Sequence, residues 1–419
     1  MRETERMDAA RRDACLREYA ALLVEVGLNL QPGQPLVIAC PVEAAPFARL
    51  CAEAAYAAGC ARVELEWRDD ALSRLGYLHA ADATFDVCPS WRRALRLDSL
   101  AGGAAFLSIH ADDPAALAGV DAGRIARANR AAGEALRPFR EATANNRVQW
   151  CVAAVPSRAW AAMVFPGVAE DEAQELLLQR ILAAVRVRGD GTAAAAWRAH
   201  IARLEEVCGR LNALRLRALR YHNALGTELT VALPEGHFFA GGAERTADGL
   251  VFVPNMPTEE LFTAPRRDGV NGRAVGSLPL VLDGNVVRGF ALTFENGRIV
   301  RVEAQQGREL LERAIALDEG AAYLGEAALV PFDSPIAQMG TLFYDTLFDE
   351  NAACHFAFGN AYPCIEGAEA MDEQQRRARG LNASITHVDF MVGTADLSVT
   401  GILPDGGEAP VMRDGVFAL

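Results

Sequence analysis

The chain changes texture near residue 220, and that change limits what it can fold into. Before it, helical and strand signals alternate: an amphipathic run over residues 12–26 closed by Gly27, the apolar "PLVIAC", an alanine-rich helix closed by Gly59, and the strand "ARVELEW". The order continues with "AAFLSI", the arginine-bearing "RIARANRAAGEALRPF" and "VQWCVAAVP". Such alternation predicts a sheet covered by helices, an α/β domain over residues 1–220. The stretch 191–223 reads as one long helix. It leads into alternating segments, "TELTVAL", "GLVFVP" and "NVVRGFALTFENGRIVRVEA", whose "DGN" and "ENGR" turns carry the Asp-Gly and Asn-Gly steps of hairpins. Residues 221–419 therefore read as an α+β, β-rich C-terminal domain, with one further helix expected over "RELLERAIALDEGAAYLGEAAL". Two cores suit a chain of 419 residues better than one.

Composition removes several classes of function. There is no lysine, so all 41 basic residues are arginine. Schiff-base enzymes, pyridoxal-phosphate enzymes and P-loop nucleotidases each need a lysine amine and are excluded. A net charge of −14 with no basic patch argues against a nucleic-acid partner. The first twenty residues mix charges without an apolar signal core, and no later run has membrane-spanning length, so the expected location is the cytoplasm. The nine cysteines are scattered singly without a CxxC pair, which suits reduced thiols rather than a disulfide framework. Cys40, Cys51, Cys60, Cys88, Cys151 and Cys208 are read as small core hydrophobes.

Most familiar catalytic signatures are missing. "GDGTAA" at residues 189–194 loosely echoes a dinucleotide loop but falls late in the chain, and reads better as a glycine turn with Thr192 capping a helix. No GxSxG elbow and no HExxH helix occurs. Two strand-like segments stand out instead. In "SITHVDFMVG" alternation sends Val388, Phe390 and Val392 to one face and His387 with Asp389 to the other. In "CHFAFG" it separates Phe356 and Phe358 from His355. Each histidine could be a metal ligand or a core imidazole satisfied by a neighbouring carboxylate. Asp349 and Asn351 could simply cap a helix while Glu350 stays solvated.

Two more carboxylates occupy apolar settings, Glu260 in "PNMPTEELFTAP" and Glu326 in "YLGEAALV". Either could be a solvated element end. Taken together, Glu260, Glu326, Glu350, His355, His387 and Asp389 form a mixture of carboxylates and imidazoles that suits two adjacent divalent ions. His79, His110, His200, His222 and His237 read as surface or structural. Cys354 and Cys364 flank the region without the spacing of a zinc knuckle.

The stretches "NMPTEELFTAP", "LTFENGRIV", "YLGEAALVPFDSPI", "LFYDTLFDENAACHFAFGNAYP" and "HVDFMVGTADL" resemble the thermophilic-type metalloaminopeptidase family, and "PVEAAPFARL", "VQWCVAAVP" and "ADGLVFVPNMPTEE" extend the likeness almost from end to end. The resemblance implies an enzyme that removes N-terminal residues from peptides by a two-metal activated water. It implies two divalent ions per subunit (zinc, cobalt, manganese or magnesium), held in the C-terminal domain by Glu260, Glu326, Glu350, His355, His387 and Asp389. It further implies a catalytic place for Tyr362 near the scissile carbonyl; the base expected for the water's proton is a free carboxylate, Glu350 or a neighbour such as Glu259. The partners implied are peptides with a free N-terminus and a second copy in a homodimer, with no nucleic acid and no membrane. Ala383 and Thr386 depart from the family's pattern without touching these residues.

Overall fold

The computed structural model describes residues 6–282 and 285–419, which divide into two compact units. The first comprises residues up to 199 with 243–257, the second residues 200–242 with 258–419. The Asp283-Gly284 step of "DGN" lies outside the described residues. No helix among them is long and apolar enough to cross a membrane.

The first unit is built on a four-stranded parallel sheet. Pro35–Pro41 lies between Arg62–Arg68 and Ala105–His110, and Trp150–Ala154 completes the order. A parallel strand needs cover on both faces, which is why "PLVIAC" is apolar throughout rather than alternating; Leu36 to Cys40 are all buried. The helices Ala9–Leu22 and Ala45–Ala57 pack on each other, and the Tyr19 ring meets Phe47 at 5.1 Å between centroids. The Tyr19 hydroxyl accepts from the Ala154 backbone N–H, which satisfies a polar atom inside this layer.

The second unit carries two larger antiparallel sheets, besides the two-stranded pair Leu280–Leu282 with Asn285–Val287. The larger has eight strands, running spatially from Arg298–Glu303 through Ala291–Glu295, Val270–Val275, Glu228–Ala232, Ala218–His222, Ser398–Ile402 and Glu408–Arg413 to Val416–Phe417. The turn between Ala291–Glu295 and Arg298–Glu303 has Asn296 and Gly297 at φ 48° and 84°, the double left-handed conformation that an Asn-Gly hairpin supplies. The smaller sheet has four strands in the order His387–Met391, His355–Gly359, Leu324–Leu329, Leu261–Thr263. One apolar core joins both sheets, with Phe356, Phe358 and Phe390 packed among Tyr221, Phe290 and Val399.

Two expected helices are shorter than the sequence pattern suggested. The long helix ends at Leu214, Arg215 turns to a left-handed φ of 49°, and "ALRYH" is the strand Ala218–His222. There Leu219 and Tyr221 are buried while Arg220 and His222 are exposed, the period of two that the preceding helical run obscures. Likewise the helix Arg308–Ile315 stops early and "LGEAAL" is a fully buried strand. Alanine and leucine favour helices, but a strand buried on both faces accepts them when packing outweighs propensity.

Gly325 makes that second strand possible. The pairing register with His355–Gly359 shifts between Leu324 and Glu326, and a Cβ on Gly325 would lie 2.2 Å from the Asn360 carbonyl oxygen. Gly325→Ala is therefore expected to destabilise the fold by about 1–3 kcal/mol, the usual cost of overpacking. Urea unfolding checks this, and a midpoint equal to that of the wild type would contradict it.

Candidate metal centre

The face of the smaller sheet turned away from the phenylalanines gathers the acids and imidazoles. Alternation along His387–Met391 puts His387 and Asp389 on one side, and along His355–Gly359 it does the same for His355 and Ala357. Register then aligns them across strands, since Ala357 pairs with Asp389 on one neighbour and with Glu326 on the other. The small Ala357 side chain leaves room between the two carboxylates. Glu260 enters from the residue before Leu261–Thr263, and Glu350 from the short helical turn Glu350–Ala352.

The result is a cluster in which three overlapping groups of ligand atoms lie within 4.8 Å of one another. These are Glu260, Glu326 and His355; Glu326, His387 and Asp389; and Glu350, His355 and Asp389. His387 Nε2 lies 2.9 Å from Glu326 and 3.3 Å from Asp389, while its Nδ1 donates to the Asn360 carbonyl. His355 Nε2 lies 3.2 Å from Glu260 and its Nδ1 lies 3.2 Å from the Ala353 carbonyl. In both rings the backbone contact at Nδ1 points Nε2 into the cluster. Every one of the six residues singled out from sequence is thus brought together.

Tyr362 stands at the edge, 39 % exposed, with its ring against Phe262 and edge-on to His387, 5.2 Å away in each case. Burial of its hydroxyl and the nearby Glu326, Asp389, Glu350 and Glu260 carboxylates push the phenol well above its usual pKa, so it remains a hydrogen-bond donor.

Burial among like charges sets the protonation of the cluster. It pushes Glu350 well up, reinforced by the Glu260 and Asp389 charges, and raises Glu326 despite the opposing His387. Burial alone would lower the His355 pKa, but Glu260 and its fellow carboxylates raise it to about 10. His387 is likewise raised, against burial, by Asp389 and Glu326. Asp389 is held low because the His387 and His355 charges outweigh burial.

The donor set can be tested against a cation without assuming one. Four carboxylates face two imidazoles, so with all four ionised even two imidazolium ions leave a net negative charge, and among the described residues no arginine pairs with any of the four. Glu260 Oε2 is buried without a well-aligned hydrogen bond, although His355 is near. Buried uncompensated charge of this sign is costly. Oxygen-rich sites with one or two imidazoles suit divalent ions, so the residues fit metal.

Two neighbouring residues escaped the sequence reading. His200, expected to be surface or structural, is nearly buried, with Nε2 2.8 Å from the Thr258 carbonyl and 3.6 Å from the Glu259 carboxylate. Asn351 is fully buried, and Asp345, not Asp349 or Asn351, caps the short helix Thr346–Asp349. Asp349 instead accepts from the Phe343 backbone N–H, and burial pushes its carboxyl up to about 7. A solitary Asn beside "DE" carries no periodic signal by which its role could have been found. Glu350 is only partly exposed, which removes the solvated alternative.

An acid-rich, imidazole-bearing centre on one face of an antiparallel sheet, in a chain that also carries a parallel α/β unit, is the arrangement of a metal-dependent enzyme class. The thermophilic metalloprotease (M29) family matches residues 12–417, and the chain belongs to that family. It is 44% identical over 404 residues to aminopeptidase AmpS of Bacillus subtilis, covering 96% of this chain and 98% of that protein. Identity to aminopeptidase T of Thermus aquaticus is 42%, covering 96% of this chain and 98% of the relative. Wild-type AmpT from Thermus thermophilus superposes with a TM-score of 0.90 at 41% identity, covering 97% of this chain and 100% of that one.

The charge balance has a measurable consequence. An imidazole with a raised folded-state pKa stabilises the fold below its unfolded pKa and loses that contribution as pH rises through the folded value. For His355 the window runs from 6.5 to about 10. Chelator-stripped protein is expected to melt at a lower temperature at pH 9 than at pH 6.5, with a smaller drop in His355→Gln. A melting temperature that holds or rises across that window would contradict the balance.

Proposed function

We propose that this metalloaminopeptidase holds two divalent ions, zinc, cobalt, manganese or magnesium, between Glu260, Glu326, Glu350, His355, His387 and Asp389. The observation that carries the proposal is the buried excess of carboxylate over imidazole, with no arginine among the described residues to balance it. Glu326 and Asp389 each belong to two of the three ligand groups, so either carboxylate could serve both ions. Bound there, the ions supply Lewis acidity, polarising a peptide carbonyl and making water nucleophilic near neutral pH.

The chain's own groups do the rest. Glu350, whose pKa burial and neighbouring carboxylates raise, is suited to accept the water's proton and return it to the leaving amine. The Tyr362 hydroxyl, kept protonated, donates to the oxygen on which negative charge develops. The acid-rich cluster also favours the α-ammonium group of a peptide, which makes a free N-terminus part of the substrate. Activity in the cytoplasm as a homodimer, without nucleic acid or membrane, completes the reading; the net charge of −14 and the family likeness support it.

Hydrolysis of leucine p-nitroanilide and of its N-acetyl counterpart, by chelator-stripped protein before and after metal is restored, tests the proposal. Cleavage of the free amine alone, and only with metal, is expected; cleavage of both substrates would refute the role given to the N-terminus. Glu350→Gln should lower kcat by about 10²–10⁴-fold, as loss of a general base does. Tyr362→Phe should lower it by about 10²–10³-fold, as loss of an oxyanion donor does. Wild-type turnover in either variant removes that residue from the mechanism.

A further inference from the structure

The six residues of the centre do not all sit on regular strands. Glu326, His355, His387 and Asp389 are fixed by the pairing of three adjacent strands, whereas Glu260 and Glu350 come from segments that meet only in space. Something must fix the distance between those two segments, because a metal site tolerates little error in ligand position.

We infer that Asn351 is a positioning residue that clamps the Glu260-bearing segment to the Glu350-bearing turn, an inference that rests on the two-ion reading above. Its side-chain Oδ1 accepts from the backbone N–H of Glu259 at 2.7 Å. Its Nδ2 donates to the Leu347 carbonyl at 2.9 Å and to Glu350 Oε1 at 3.4 Å. One amide thus holds the backbone next to Glu260 and the Glu350 carboxylate itself. The side chain is fully buried, and its orientation is dictated by its partners, an N–H on one side and two oxygens on the other. The Asn351 backbone carbonyl in turn accepts from Ser334 Oγ at 3.4 Å. His200 donates to the Thr258 carbonyl, a second bond to the backbone of the same segment.

Asparagine suits this position because the task needs an acceptor and two donors on one short, uncharged side chain. Aspartate would keep the bond to the Glu259 N–H but turn an oxygen toward two other oxygens. A serine or alanine would reach neither partner.

The geometry makes the effect selective. The Asn351 side chain hydrogen-bonds to the segments that carry Glu260 and Glu350, and its hydrogen bonds reach none of Glu326, His387 and Asp389. Loss of the clamp should weaken one ion and spare the other. Supporting groups of this kind typically contribute about 10–100-fold in metal affinity.

Cobalt binding to chelator-stripped protein, followed by titration calorimetry and visible absorption, tests the inference. The variants are Asn351→Ala, which deletes the amide, and Asn351→Leu, which keeps the volume. Two ions are expected in the wild type, with one affinity lowered about 10–100-fold in both variants and the other unchanged. Ser334→Ala is the control. It loosens the same turn and the cap at Ala337 without touching the Asn351 side chain, and should lower the melting temperature while leaving both affinities in place. A wild type that binds no cobalt in the cluster would overturn the two-ion reading itself. A wild type with two ions and variants with both affinities intact would overturn the clamp alone, as would equal weakening of both sites or of the Ser334→Ala control. Should neither Asn351 variant fold, hydrogen exchange in the wild type decides. Slower exchange of the Glu259 amide on cobalt loading supports the coupling, and unchanged exchange overturns it.

Discussion

Buried negative charge is the constraint on which the rest of the second unit depends. Glu260 and Glu326 are each under a tenth exposed and share a small volume with Glu350 and Asp389. Apolar burial nearby adds to stability but does not remove the cost of the cluster, which falls only when the charge is neutralised or paired. The molecule relieves part of it with two imidazoles whose pKa values rise in response. No arginine among the described residues pairs with these carboxylates, though arginine is abundant and pairs freely with acids elsewhere, as in Arg68 with Asp112 or Arg267 with Glu319. The withheld counter-charge is the physical basis for reading the centre as a cation site rather than as an ion-pair network.

The sheet makes this arrangement possible by separating two environments across one backbone. Phe356, Phe358 and Phe390 project into the core shared with the larger sheet, and His355 and Asp389 project the other way from adjacent positions on the same strands. A one-residue slip would exchange the faces and bury the acids in the aromatic layer. The aromatic contacts therefore stabilise more than the core. Tyr221 against Phe356 at 4.8 Å, and Phe356 against Phe390 at 5.9 Å, hold the register that delivers the ligands.

Much of this was legible in the sequence where a periodic signal existed. The alternation in "CHFAFG" and "HVDFMVG" gave the facing of His355, His387 and Asp389, and the Asn-Gly step located the hairpin turn at Asn296 and Gly297. Where the strand was alanine-rich and fully buried, as in "LGEAAL", helix propensity misled, since burial on both faces erases the period of two. The pattern "ALRYH" was lost for a related reason, because it follows directly on a helix whose arginine and leucine spacing runs up to it. The convergence of Glu260 and Glu350 was not legible from spacing at all. It depends on long-range packing of segments about ninety residues apart, joined by one side-chain amide between Asn351 and Glu259; in advance, only their ligand chemistry taken as a set and the family likeness grouped them.

The difference between strand-borne and loop-borne residues also bears on how the centre stays rigid. The strand residues inherit their positions from many backbone hydrogen bonds, so no single change displaces them. The loop residues depend on a few side-chain to backbone bonds, each individually modest. Asn382 repeats the device at the other end, donating to the Gly320 and Gly359 carbonyls and accepting from Arg267, just before the strand that carries His387. Asp318 does the same for the intervening turn, accepting from the Ile385 N–H and the Ser384 hydroxyl. Short polar side chains buried against backbone are thus the means by which irregular segments acquire the precision of a sheet, and they mark where a centre of this kind is most easily loosened without disturbing any residue that faces the ions.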